Sequence, residues 1–143
     1  MGNDGIELGN ITSNHGGVEV LVVDDDPAMQ ELISDFLEGL GYVTVGFNSP
    51  LVVLEYVRRQ QSLGLGVRRL IITDCNMPHM GGLELIDSLR MIAPDTPAVL
   101  ISAFGGEQVD CDVLDREDLL FLQKPFPLPD LAKMVSQGEA QIH

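Results

Sequence analysis

Tryptophan is absent from this chain, and aromatic residues supply only 5% of its 143 positions. Any core must therefore be filled by aliphatic side chains, which the 45% of hydrophobic residues can provide. Cysteine is nearly absent too. Cys75 and Cys111 are too few for a disulfide framework, and no CxxC pair points to zinc, so reduced thiols are expected. Positive charge is scarce, with 8 Lys and Arg against 22 Asp and Glu and a net charge of −14. A phosphate backbone repels such a surface, which excludes a protein that grips DNA or RNA directly. No apolar run approaches the ~20 residues that span a bilayer. The first 17 residues lack the basic start and apolar stretch of a secretory signal. These absences predict a cytoplasmic chain without a membrane role, either standing alone or as a soluble piece of a larger protein.

What is present is an alternation of short apolar runs and helical patterns. Residues 1–17, with five glycines, read as a tail or linker. The run Val18–Val23 reads as a strand buried on both faces. Asp26-Pro27 then marks a helix start, with Asp26 as cap. Met29, Leu32, Ile33, Phe36, Leu37 and Leu40 form one apolar helix face, closed by Gly41. Further strands are predicted at Tyr42–Phe47, Arg69–Thr73, Ala98–Ile101 and Leu119–Gln123. Further helices are predicted after Ser49-Pro50, after Gly82, over 106–116 and from Leu128. Five βα units imply an α/β domain over 18–137, with a parallel sheet covered on both faces and a short tail at 138–143. The stretch 58–69 holds Arg58, Arg59, Arg68 and Arg69 and reads as a solvated loop, with docking to an acidic partner as the rival reading.

Polar residues recur at the carboxyl ends of the predicted strands. Asp24 and Asp25 follow the first, Asp74 the third, Ser102 the fourth and Lys124 the fifth. Open α/β sheets bind ligands outside those ends. Three carboxylates sent to one edge repel strongly, and one lysine cannot balance them. A hard divalent cation such as Mg²⁺ can, using carboxylates, waters and phosphate oxygens. A carboxylate can also act as nucleophile toward a phosphoryl group.

The runs LVVDDDP (21–27), IITDCNMPHMGG (71–82), VLISAF (99–104) and FLQKPF (121–126) together resemble the receiver domain of bacterial response regulators. The resemblance covers residues 18–137 and implies a flavodoxin-like, doubly wound fold with sheet order 2-1-3-4-5. It implies that Asp74 is the phosphoacceptor. It makes Asp25 a direct Mg²⁺ ligand, Asp24 a ligand acting largely through water, and Asn76 a ligand through its backbone carbonyl. It gives Ser102 and Lys124 the phosphoryl oxygens, Phe121 with Ser102 the role of switch, and Lys124-Pro125 a cis peptide. The implied partners are a histidine kinase or phosphotransfer protein. Downstream, a protein would dock on the face of helix four (106–116), strand five and helix five, where a phosphorylation-dependent dimer could also form. None of the three histidines resembles a phosphodonor.

Other readings compete. Ser102 can cap a turn, Phe121 can be plain core, His79 an ordinary loop residue, and Cys75 should point away from the site into packing. An aspartyl-phosphate hydrolase needs a second acid two residues after the nucleophile, where this chain has Asn76. The expectation is a signalling module and not an enzyme. An interaction module of the same fold, independent of phosphorylation, is the alternative.

Overall fold

A computed structural model describes residues 17–103 and 116–142. Five strands, β1 (Glu19–Val23), β2 (Val43–Phe47), β3 (Arg69–Asp74), β4 (Ala98–Ser102) and β5 (Leu120–Gln123), form one sheet in the order β2-β1-β3-β4-β5. Every neighbouring pair is parallel. Four described helices accompany them: α1 (Pro27–Gly39), α2 (Pro50–Ser62), α3 (Gly82–Ile92) and α4 (Leu128–Glu139). This is the flavodoxin-like order implied by the resemblance. The helix expected over 106–116, and with it Cys111, lies outside the described residues but for Arg116, which is not helical.

The two-residue period of the strands sorts the core. Leu21, Val23, Ile71 and Leu100 point to one face, where Val53 and Val57 of α2 and Leu85 and Leu89 of α3 cover them. Val20, Val22, Ile72 and Val99 point to the other, under Ile33 and Leu37 of α1 and Leu131 and Val135 of α4. Each such side chain contributes about 1.5–3 kcal/mol by leaving water. Because β1, β3 and β4 are covered on both faces, they read as unbroken apolar runs in sequence. Local signals set the helix starts. The Asp26 side chain accepts from the Ala28 N–H at 3.1 Å, and Pro27 needs no donor partner in the first turn.

Some boundaries differ from those expected. Tyr42 precedes β2; its ring is buried and its hydroxyl donates to Glu139 at 3.2 Å. The stretch 58–69 is not a single solvated loop. α2 continues to Ser62, so Arg58 and Arg59 are helical, while Arg69 opens β3 and is buried. A polar network accounts for that burial. The Tyr56 hydroxyl donates to Glu19 at 2.9 Å, and Arg69 Nη2 donates to Gln60 at 2.8 Å. Gln60 Nε2 in turn reaches the Tyr56 hydroxyl at 3.1 Å and Glu19 at 3.4 Å. Beside it, Arg90 on α3 holds both Asp118 (2.9 Å) and the Thr96 carbonyl (3.0 Å), and Arg116 bridges Asp118 to Asp87. α4 extends to Glu139, where Gly138 lets it lie against Leu70. Among the described residues, no helix is long and apolar enough to cross a membrane.

Candidate functional site

The chain leaves β1 at Val23 and turns at once into α1, which leaves Asp24 buried and Asp25 exposed. Asp24 Oδ1 accepts from the Asp26 N–H at 2.9 Å, and Asn48, beyond β2, donates to the Asp24 carbonyl at 2.8 Å. Asp74 closes β3 and is only 8% exposed. Carboxylate oxygens of Asp24, Asp25 and Asp74 lie within 4.8 Å of one another, and no other such acid, histidine or cysteine cluster occurs among the described residues.

Asp74 has two further partners. Its Oδ1 meets Lys124 Nζ at 3.1 Å, and its Oδ2 accepts from the Asn76 N–H at 3.2 Å. Ser102 closes β4 one residue past the Asp74–Ile101 pair and is fully buried. Its backbone carbonyl accepts from the Lys124 N–H at 2.7 Å, which ties the ends of β4 and β5 together. The Lys124–Pro125 peptide is cis. Phe121 is half-buried and packs on the α2/α3 side of the core, as do Cys75, Met77 and Met80. Cys75 thus points into packing. The loop after Asp74 turns through His79, exposed and left-handed at φ 74°, a conformation that disfavours a side chain. It then enters α3 at Gly82, whose N–H donates to the Cys75 carbonyl at 2.9 Å. A β-carbon at Gly82 would overlap the Asp74 carbonyl oxygen, so only glycine lets α3 begin this close to β3.

The electrostatics of this edge are lopsided. Two carboxylates at the 4.8 Å limit repel by about 3 kcal/mol at an effective dielectric of 20. Burial pushes the Asp24 carboxyl above its ordinary value; the Asp26 N–H and Lys124 oppose the rise, while Asp74 and Asp25 add to it. One ammonium against three carboxylates is an arrangement that a hard divalent cation completes. Asp24, Asp25 and Asp74 have the oxygen donors that Mg²⁺ prefers. A cavity of about 670 Å³ opens at the opposite end of the sheet, lined by Arg69, Arg90, Thr96 and Asp118, and it contains no comparable cluster.

Five of the residues singled out from sequence (Asp24, Asp25, Asp74, Ser102 and Lys124) converge on one edge of the sheet. Asn48 was missed. Its only signal is its position after β2, in a turn that sequence alone does not bring near Asp24.

A parallel sheet ordered 2-1-3-4-5 with acids outside its carboxyl ends defines the class: a receiver-type flavodoxin-like domain. The chain belongs to the response regulator receiver domain family, which matches residues 20–136. It is 27% identical over 129 residues to the transcriptional regulatory protein ZraR of Escherichia coli K12, covering 90% of this chain and 28% of ZraR. It thus spans under a third of that regulator. It is 28% identical to the response regulator receiver protein CpdR of Brucella abortus, covering 82% of this chain and 93% of CpdR. Among solved structures, a protein from Neptuniibacter caesariensis superposes with a TM-score of 0.73 at 30% identity, over 87% of this chain and 88% of that one. FixJ-N superposes with a TM-score of 0.73 at 21% identity, over 86% and 94%, a likeness of fold alone.

Proposed function

We propose that this receiver domain accepts a phosphoryl group on Asp74 from a histidine kinase or phosphotransfer protein in the cytoplasm. The observation that carries the reading is the meeting of three carboxylates and Lys124 at one edge, with Asp74 nearly buried among them. An Asp74 carboxylate oxygen forms the new O–P bond while the donor's P–N bond breaks, and the donor ring, already protonated on its other nitrogen, takes the bond's electron pair and leaves as neutral imidazole. Asp24, Asp25, Asp74 and the Asn76 carbonyl would hold Mg²⁺, which supplies charge neutralisation at the phosphoryl oxygens. Lys124 Nζ lies 3.1 Å from Asp74 Oδ1, and Ser102 ends the neighbouring β4 with its hydroxyl donating to the Ala103 carbonyl at 3.4 Å. The added charge draws the Ser102 hydroxyl inward, Phe121 follows, and the face around β5 and α4 changes for a downstream protein partner.

Acetyl phosphate with Mg²⁺ should give a phosphoryl adduct visible by intact-mass spectrometry in the wild type. Asp74→Asn should give none. Absence of the adduct with acetyl phosphate and with a phosphorylated histidine donor would sink the reading and leave a phosphorylation-independent interaction module.

A further inference from the structure

The four described helices differ in what they turn to water. The exposed arc of α2 carries Leu51 and Val52, 56% and 54% exposed, then Arg58 and Arg59, then Leu63 at the cap, 67% exposed. Positions 51, 55, 58 and 62 lie on one helical strip and 52, 59 and 63 on the next, so these side chains share one side. Glu55 is the lone acid there. Neither Arg58 nor Arg59 has an ion-pair partner among the described residues, although 22 acids surround them in the chain. α2 is the one described helix with two exposed basic side chains. Half of the exposed large hydrophobics, four of eight, sit on it or on the turn that follows.

The exposed arc of α1 has the opposite character. Glu31, Asp35 and Glu38 are exposed along one strip, Leu32 is 49% exposed beside them, and the arc has no base. The two arcs are complementary in charge, and both offer apolar area. They cannot meet within one molecule, because α1 covers one face of the sheet and α2 the other. They can meet between two molecules.

We propose that the Arg58/Arg59 face of α2 docks on the Glu31/Asp35 face of α1 in a second copy of this chain. The contact is heterologous, so copies join head to tail. Leu51, Val52 and Leu63 pack around Leu32, and the arginines meet the carboxylates at the contact. The net charge of −14 on each copy opposes approach at long range. At ~0.15 M salt that repulsion is screened beyond about 8 Å, while contacting pairs persist. This association is separate from phosphoryl transfer and does not depend on it.

Sedimentation of the full chain over a concentration series tests the proposal. Reversible self-association is expected at ~0.15 M salt, weakened at ~1 M. The pair Arg58→Glu with Arg59→Glu, and separately Glu31→Lys with Asp35→Lys, should each raise the dissociation constant at least about tenfold. Mixing the two variants restores complementary arcs in both directions and should bring association back. Circular dichroism checks that each variant is folded. A chain that stays monomeric throughout overturns the proposal. So does association that both variants leave unchanged, or an Arg58/Arg59 face that binds only anionic lipid vesicles.

Discussion

The two ends of the sheet handle charge in opposite ways. At the carboxyl edge, Asp24, Asp25 and Asp74 crowd within 4.8 Å, and among the described residues the one ion pair there is Lys124 with Asp74. At the amino edge, Glu19, Tyr56, Gln60 and Arg69 satisfy one another, and Arg90, Asp118, Arg116 and Asp87 form a second set of pairs. Even there, Arg69 Nε is the one buried side-chain polar atom without a partner among the described residues. The amino edge spends its polar groups on fastening α2 and α3 to the strands. The carboxyl edge holds a surplus of like charge that only something from outside can relieve. One fold thus keeps its paired charges and its cluster of like charge about a strand's length apart, roughly 15–20 Å for strands of this size.

Substitutions at the two ends should separate these roles. Removing Asp25 or Asp24 as a ligand, by Asp25→Asn or Asp24→Asn, should weaken Mg²⁺ binding at least about tenfold by isothermal titration calorimetry. Arg69→Met should leave Mg²⁺ binding intact and cost about 2–4 kcal/mol in urea unfolding, because Glu19 loses its compensating charge. Adding Glu19→Gln should recover part of that loss; no recovery would mean that Arg69 acts by packing alone.

Without metal, Asp24→Asn should have the reverse sign and stabilise the fold at neutral pH, read as a rise in Tm. The folded Asp24 carboxyl titrates above its ordinary 3.8. Its charged form therefore destabilises the fold above that raised value, and the difference from Asp24→Asn should fade as pH falls and vanish below 3.8. Saturating Mg²⁺ should reverse it, because the wild type binds the ion more tightly. The smallest effect belongs to Asp118, which hydrogen bonds from Arg116 hold down at about 2 although the group is largely exposed. Its contribution is present above 3.8 and is lost as pH falls toward about 2. Arg116→Gln should flatten that acid limb by no more than about 0.5 kcal/mol.

Much of the carboxyl edge was legible in the sequence, because motif order and strand ends put Asp24, Asp25, Asp74, Ser102 and Lys124 in register. The strands β1, β3 and β4 were legible as nearly continuous apolar runs, as expected for strands covered on both faces. The amino edge was not legible. Arg69 was legible as the start of β3 but its burial was not, because that depends on Gln60 and Tyr56 arriving from α2 and Glu19 from β1. Those partners lie 9 to 50 residues away in the chain, with no motif to announce them. Arg58 and Arg59 were misplaced for a related reason: the glycines at 64 and 66 signal a turn, but not where α2 gives way to it.

Gly82 has a consequence for how this domain can be altered. Its missing side chain lets the first turn of α3 rest on the carbonyl of Asp74, so the end of β3 and the start of the helix are in direct contact. A methyl group there must push one of them away. Gly82→Ala would displace Asp74 while leaving every acid, the lysine and the serine in the chain. It offers a means of detuning the site through shape, with its inventory of chemical groups untouched.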